Sequence, residues 1–192
     1  MGPVKLRSLS IPLFLFAAFS VVASAQIGIY GKFDITRYSG PQGAGFPIAT
    51  RWFYGPGIGV YYDFMHLGPV AVGADLRGNL LFASQYRYRS ALFGVRLSAK
   101  APVLPIHPYI QGSVGAGGPR YTGGGLAAGI TSVPYSTKFQ YQVFGGIDYT
   151  VLPHLDLRVP EIGYGRMSDS SGSSGLSSSI LTISSGLVFR FR

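Results

Sequence analysis

The chain has 192 residues, a formal net charge of +9 and no cysteine, and 47% of its residues are hydrophobic against 12% that are charged. This length suits one domain, and the lack of cysteine excludes disulfides and an N-terminal lipid anchor on cysteine. The basic residues are spread singly among apolar stretches, so the composition does not indicate a nucleic-acid-binding protein.

Residues 1–25 have the pattern of a secretory signal peptide. Lys5 and Arg7 form a basic start, an apolar run covers residues 11–22, and Ala-Ser-Ala at 23–25 is a small-x-small cleavage motif. The apolar run is too short to span roughly 30 Å of hydrocarbon, which argues against an uncleaved anchor. We therefore expect a signal peptide over 1–25 and a single mature domain over 26–192. Cleavage removes two basic residues and leaves 14 against 7 acidic ones.

After residue 25 the chain consists of segments in which apolar and polar side chains alternate, separated by turn-rich pieces. Segments of about ten alternating residues are typical of membrane β-barrels. No stretch of useful length has the helical period, and no apolar run reaches the length of a transmembrane helix. The predicted strands are Ile27–Tyr38, Phe53–Phe64, Pro69–Leu80, Tyr86–Ala99, Pro108–Gly117, Lys138–Tyr149, Leu155–Arg166 and a last strand that includes 184–191.

The seventh segment alternates cleanly only if the parity shifts at Val159 and Pro160. A β-bulge shifts parity by one residue, and bulges are among the few places where proline is tolerated in a sheet. We therefore expect a bulge there.

The connections are predicted to alternate in length. Those after strands two, four and six are short, and those after the odd-numbered strands are longer, including 39–52, 118–137 and 167–179. Short turns on one side and longer loops on the other are typical of outer-membrane barrels, in which the turns are periplasmic.

The two faces of the strands decide between a membrane barrel and a soluble lipocalin-like barrel. If the polar face met lipid, Lys32, Arg77 and Arg96 would each cost about 2–4 kcal/mol near the bilayer centre. If the apolar face met water, apolar patches would be exposed around the whole wall. Both costs vanish when the apolar face points into lipid and the polar face points into the barrel.

The polar face then supplies an interior charge network. An eight-stranded barrel is filled by side chains, and buried charges persist when they are paired. We expect a plug of ion pairs, with a narrow pore or proton path as the alternative, and the sequence does not assign the pairs. The inward ionisable residues are Lys32, Asp34, Asp63, Asp75, Arg77, Arg96, Asp148, Asp156, Arg158, Glu161 and Arg190.

The last strand carries the pattern polar-x-Gly-x-x-aromatic-x-aromatic through Ser184, Gly186, Phe189 and Phe191. It resembles the C-terminal signal of outer-membrane β-barrels, which the barrel-assembly machinery recognises, although the signal usually ends on the aromatic and here Arg192 follows. The whole mature chain resembles the small outer-membrane barrel family typified by the OmpA transmembrane domain and OmpX. This resemblance implies an all-β, eight-stranded, antiparallel up-and-down barrel, monomeric in the cell outer membrane, with a structural or surface-interaction role through its loops.

Four arginines fall on the outward parity near the predicted outer ends: Arg37, Arg87, Arg89 and Arg166. Lipopolysaccharide phosphates lie at that height, and guanidinium groups bind phosphate bidentately. We expect lipopolysaccharide contacts there, with ordinary solvated arginines as the alternative.

Aromatic residues near both ends are predicted to form interfacial girdles. The periplasmic set is Tyr62, Phe64, Tyr149, Phe189 and Phe191, and the outer set is Trp52, Phe53, Tyr86, Tyr88, Tyr135, Phe139, Tyr141 and Tyr164.

No catalytic or cofactor motif is found. Barrel enzymes that deacylate lipid A resemble one another in a His-x-Ser pair, and none of His66, His107 and His154 has that spacing. These histidines lie on separate turns without metal-ligand spacing. The glycines at 55, 57 and 59 precede no helix, so they do not form a nucleotide loop. We expect no enzyme activity, with a lipid A-modifying enzyme as the less favoured alternative, and no cofactor and no metal.

Overall fold

The computed structural model describes residues 26–40, 50–121, 137–168 and 177–191. Within them, eight antiparallel strands close into a barrel in chain order, with β8 paired to β1. No helix long and apolar enough to cross a membrane occurs in these ranges. The strands are β1 Gln26–Ser39, β2 Thr50–Leu67, β3 Val70–Ala83, β4 Tyr86–Ala99, β5 Ile106–Tyr121, β6 Lys138–Leu152, β7 Leu155–Ser168 and β8 Ser177–Phe191.

The eight predicted strands are all present, and the predicted fold class is confirmed. Several strands run further than the alternation indicated: β2 begins at Thr50, β3 continues to Ala83, and β5 covers Ile106–Tyr121. The predicted signal peptide, residues 1–25, lies outside the described residues.

The strands are staggered around the barrel. Following register partners from Gly28 once around the wall leads back to β1 at Tyr38, ten residues further along. A stagger of this kind tilts the strands against the barrel axis, and at eight strands the interior is only wide enough for side chains. Residues that face each other across the lumen are therefore far apart in sequence and at different positions along their strands.

The two ends of the barrel differ in their connections. At one end, the turn end, short segments at 68–69, 100–105 and 153–154 join the strands. The other end, the loop end, has the segments between β1 and β2, β5 and β6, and β7 and β8. The prediction of a longer connection after the third strand was wrong, since β3 and β4 are joined at the loop end by Ser84 and Gln85 alone. Ser84 has a φ of 44°, which lets the chain reverse tightly.

The predicted bulge is present in β7. Arg158 and Glu161 are consecutive pairing residues against both neighbouring strands, so Val159 and Pro160 together oppose a single residue on each side. Both bulged residues are exposed on the outside, and the residues flanking them are both buried inside. The bulge therefore places two ionisable side chains in the lumen three positions apart.

The outward surface of the wall is apolar on every strand. Ile29 on β1, Ile58 on β2, Phe93 on β4, Val143 on β6 and Phe189 on β8 are each at least 50% exposed. Exposed apolar area of this extent is unfavourable in water and suits a hydrocarbon environment.

Candidate functional site

The candidate site is the lumen, and all eleven ionisable residues assigned to it lie inside the barrel. The most exposed of them, Arg190, is 7% exposed, and Asp34, Asp156 and Glu161 are fully buried. Ionised groups in such surroundings persist only with opposite charges and hydrogen bonds close by. The structure shows which residues supply these.

Glu161 is the centre of the network. Its Oε1 accepts hydrogen bonds from Lys32 Nζ at 2.9 Å, Arg77 Nη1 at 3.1 Å and Ser184 Oγ at 2.8 Å. Its Oε2 accepts one from Tyr109 OH at 2.6 Å. The donors come from β1, β3, β5 and β8, so this one carboxylate on β7 holds five strands of the wall together across the lumen.

Arg77 links Glu161 to a second carboxylate, Asp75. Its Nε donates to Asp75 Oδ1 at 2.9 Å, and its Nη2 donates to Gln111 Oε1 at 2.7 Å. Tyr30 OH donates to the same carboxylate at 2.9 Å. The guanidinium carbon also lies 4.0 Å from the ring centre of Phe144, a residue that the sequence reasoning did not single out. Such cation–π contact adds to the ion pairs where water is excluded.

Inward glycines make room for this packing. An added Cβ at Gly163 would overlap the Phe144 ring, and one at Gly186 would come within 2.7 Å of Lys32 Cα. Close approach of large side chains to a neighbouring strand is a recognised reason for glycine in a sheet.

Asp148 forms a second ionic cluster nearer the turn end. It accepts hydrogen bonds from Arg158 Nε at 2.8 Å and from Arg96 Nη2 at 2.7 Å. The Arg96 guanidinium lies between two aromatic rings, 4.0 Å from the centre of Tyr61 and 4.3 Å from that of Tyr109. The sequence could not assign these partners because they depend on the stagger of the strands.

Arg190 closes the network at the turn end. Its Nη2 donates to Asp156 Oδ1 at 2.6 Å and to Thr150 Oγ1 at 2.7 Å. His107 Nε2 lies 3.4 Å from Arg190 Nη1, and His154 Nδ1 lies 3.2 Å from the Arg190 carbonyl oxygen. Two of the three histidines thus contact Arg190, near the end of β8. The part of the chain that the structure describes holds no cluster that fits a metal.

The remaining two acids differ from each other. Asp34 Oδ1 lies 3.0 Å from Lys32 Nζ, which also donates a hydrogen bond to Glu161. Asp63 lines a cavity of about 120 Å³ at the turn end, together with Arg96 and Arg190. Within the described strands, Asp63 Oδ1 and Arg96 Nε have no hydrogen-bond partner. The cavity is therefore polar and reaches the Asp148 cluster from the turn end.

The loop end of the lumen has a different lining, which we call the apolar cluster. Its members come from six strands, and each is at most 5% exposed. They are Tyr38, Phe53, Leu81, Tyr86, Tyr88, Met167 and Ile180. Polar contacts complete the layer, since Tyr88 OH donates to Gln140 Oε1 at 2.6 Å and Tyr38 OH lies 2.8 Å from Ser178 Oγ.

The apolar cluster corrects part of the predicted aromatic girdles. Phe53, Tyr86 and Tyr88 were assigned to the outer girdle, but all three point into the lumen. Tyr135 lies outside the described residues. The other predicted girdle residues are all exposed on the outward face. The alternation contained the signal for the three exceptions, because each shares the parity of inward residues on its own strand.

The proposed assembly-signal residues lie on both faces of β8. Ser184 is buried and Gly186 faces Lys32 of β1 inside the barrel. Phe189 and Phe191 are 51% and 55% exposed on the outward face, opposite Ile29 and Ile27 of β1. β8 thus closes the barrel with aromatic rings on its outer surface near the turn end.

The four arginines proposed for lipopolysaccharide contact are all exposed on the outward face near the loop end. Arg37 and Arg166 flank β8, since they pair with Leu181 and Ser179. Arg87 and Arg89 lie on β4, on the opposite side of the barrel from Arg37 and Arg166.

Comparison with known proteins supports the fold. No family model matches the chain, and no curated protein matches it in sequence. Among solved structures, Neisserial surface protein A (NspA) is 16% identical, with 86% of this chain and 97% of that chain covered and a TM-score of 0.58. Ail, the attachment invasion locus protein of Yersinia pestis, is 14% identical, with 87% and 99% covered and a TM-score of 0.52. Ail in complex with the heparin analogue sucrose octasulfate gives 0.53 at the same identity and coverage.

These likenesses, the closed eight-stranded wall and the apolar exterior agree with the resemblance carried by the final strand. The chain has the fold of the small, eight-stranded outer-membrane β-barrels.

Proposed function

We propose that this protein is a monomeric outer-membrane barrel that does not conduct ions and acts through its loop-end surface, in a structural or surface-interaction role. The observation that carries the proposal is the filling of the lumen. Ion pairs occupy its middle, and the apolar cluster fills its loop end with side chains from six strands. A lumen filled in this way leaves the loops as the surface available to partners.

Single-channel recording of the refolded protein in planar bilayers tests the closed lumen. We expect no conductance steps from protein whose folding is verified by the faster migration of the unboiled barrel in a detergent gel. Regular steps from such protein would contradict the proposal. They would favour the second candidate, a narrow channel, which the polar cavity at the turn end supports.

Loop-exchange variants test the surface role. Cells that carry the unaltered protein are tested for binding to envelope or host ligands. Replacing residues 122–136 or 41–49 with a short Gly-Ser linker should leave folding intact and abolish this binding. Because the β3–β4 connection has only two residues, Ser84 and Gln85, its replacement serves as the matched control and should have no effect. Unchanged binding by every loop variant would leave only the structural role.

We also propose that the barrel is not an enzyme, and that the outward arginines Arg37, Arg87, Arg89 and Arg166 contact lipopolysaccharide phosphates. Their exposure near the loop end supports the second point. Replacing all four with serine should lower the lipopolysaccharide that co-purifies with the barrel. The absence of enzyme activity is tested by mass spectrometry of lipid A from cells with and without the protein, and unchanged lipid A is expected.

The barrel-assembly machinery is the proposed partner in biogenesis, through Ser184, Gly186, Phe189 and Phe191.

A further inference from the structure

The polar cavity of about 120 Å³ at the turn end, which we call the turn-end chamber, lies beside two small inward residues of β3. These are Gly73 and Ala71, and each stands between larger side chains on the strands to either side. A glycine and an alanine leave unfilled space between β2 and β4. The four register partners of this pair all line the chamber: Asp63, His66, Arg96 and Ser98.

A β-bulge in β2 brings two of these side chains to the chamber. Phe64 is an extra residue between Asp63 and Met65, which pair with consecutive residues of β3. Phe64 and Met65 are both exposed on the outward face. Asp63 and His66 therefore both line the lumen although they are three positions apart. Bulges are over-represented next to functional sites, where they re-aim a side chain.

The chamber has an acid on one side and a base on the other. Asp63 on β2 is 5% exposed and Arg96 on β4 is 2% exposed. Among the described residues, Asp63 Oδ1 and the Nε and Nη1 atoms of Arg96 have no hydrogen-bond partner. Exposed Lys100 adds a second positive charge on the β4 side of the mouth. Buried charged groups need hydrogen-bond partners, so both sides of the chamber favour a bound polar molecule.

The charge balance of the lumen points to the same residue. Of the eleven ionisable residues that the structure places inside the barrel, six are acids and five are bases. The other two acids that line the chamber, Asp148 and Asp156, already accept hydrogen bonds from Arg96 and Arg190. Asp63 is thus the carboxylate that lacks a positive partner within the strands described, and a ligand with a cationic group would supply one.

We propose that the turn-end chamber binds a small zwitterion of the α-amino acid class, with its ammonium group on Asp63 and its carboxylate on Arg96. A volume of about 120 Å³ is several times the roughly 10–15 Å³ that one water needs, and it suits a molecule the size of glycine or alanine. A simple ion satisfies only one side of the chamber, whereas a zwitterion satisfies both and adds no net charge. The inference does not depend on the proposed role of the loop-end surface, because the chamber lies at the opposite end.

Equilibrium dialysis of the refolded full-length barrel in a neutral detergent, with radiolabelled glycine at neutral pH, measures the binding. N-acetylglycine, which lacks the ammonium group, and glycinamide, which lacks the carboxylate, are the competing probes. Glycine should bind saturably. Each analogue should bind at least about tenfold more weakly, since the loss of one charge-assisted contact corresponds to roughly that factor. Phenylalanine should not compete, because its side chain exceeds the chamber.

Two variants test the two features of the chamber, its charge and its space. Asp63→Asn should weaken glycine binding at least about tenfold and remove the preference for glycine over N-acetylglycine. Ala71→Val fills part of the chamber and should weaken glycine binding to a similar extent. Gly112→Val is the matched control, because an added Cβ at this outward position has nothing within 4 Å, and it should bind glycine normally. If Ala71→Val does not fold, Asp63→Asn and the two analogues still test the site.

The inference is wrong if the folded barrel shows no saturable glycine binding, or if Asp63→Asn binds glycine as tightly as the unaltered protein. Equal binding of N-acetylglycine would show a simple anion site, and equal binding of glycinamide a simple cation site. Unchanged affinity in folded Ala71→Val would place the binding outside the chamber. Channel recording and the loop-exchange assay, repeated on Asp63→Asn, test the proposed function separately and should give the results of the unaltered barrel.

Discussion

The two halves of the lumen are filled by different kinds of interaction. Around Glu161, four hydrogen-bond donors from four other strands meet one carboxylate. The charged groups among them, Lys32, Arg77 and Glu161, depend on one another for their charges to be tolerated. At the loop end, the apolar cluster packs aromatic and aliphatic side chains such as Phe53 and Leu81, both at most 1% exposed, and these need no specific partner.

The lumen of one barrel can thus be filled in two ways. Charged partners fix the stagger of the strands, because a shift of one residue would turn them to the lipid side. Apolar packing fixes volume and excludes water. We expect the ionic half to be sensitive to the loss of any one partner and the apolar half to be sensitive to lost volume.

The largest effect is expected from Glu161→Gln. It leaves Lys32 and Arg77 in the lumen without the counter-charge that they share. Breaking a buried ion pair typically costs about 3–5 kcal/mol. The free energy of unfolding, measured by urea titration of the refolded barrel, should fall by that amount. Asp63→Asn is the matched control, because Asp63 has no ion pair among the described residues, and it should change stability by less than about 1 kcal/mol. Equal losses in both variants would contradict a network centred on Glu161.

A somewhat smaller effect is expected in the apolar cluster. Leu81→Ala should lower the free energy of unfolding by about 2–4 kcal/mol, through lost burial and the cavity left behind. Leu81→Met keeps the volume and should cost less than about 1.5 kcal/mol. If the two substitutions cost the same, packing volume is not what this half of the lumen depends on. The same titration that measures the Glu161 variant serves here.

The smallest effects come from single hydroxyl groups, one in each half. Tyr109→Phe removes a 2.6 Å hydrogen bond to the Glu161 carboxylate and should cost about 1.5–3 kcal/mol, the range for bonds to charged groups. Tyr88→Phe removes a bond of the same length to the neutral Gln140 amide and should cost about 1 kcal/mol. A larger loss from Tyr88→Phe would reverse the proposed order of the two halves.

The sequence was sufficient to predict the strands of the barrel wall and their two faces. It was insufficient to predict the contacts between side chains inside the lumen. Alternation placed every strand, assigned residues such as Lys32 and Arg96 to the inside, and located the bulge at Val159 and Pro160. It could not pair Arg77 with Glu161, because the pairing depends on the stagger between strands that are not neighbours. The assignment of girdle residues failed near the loop end, because Phe53 and Tyr88 were judged by residue type and not by the alternation. An aromatic ring suits a membrane interface and a packed lumen equally well, so only parity distinguishes them.

The β7 bulge has a consequence for how this barrel can change over evolutionary time. The extra residue lets Arg158 and Glu161 share one side of the wall although they are three positions apart. Losing either Val159 or Pro160 would leave a regular strand with the two residues two positions apart and still inside, whereas losing both would make them adjacent and turn one of them towards the hydrocarbon. Loss of one residue in this part of β7 should therefore be tolerated and loss of two should not, whereas the loops can lose residues in either number.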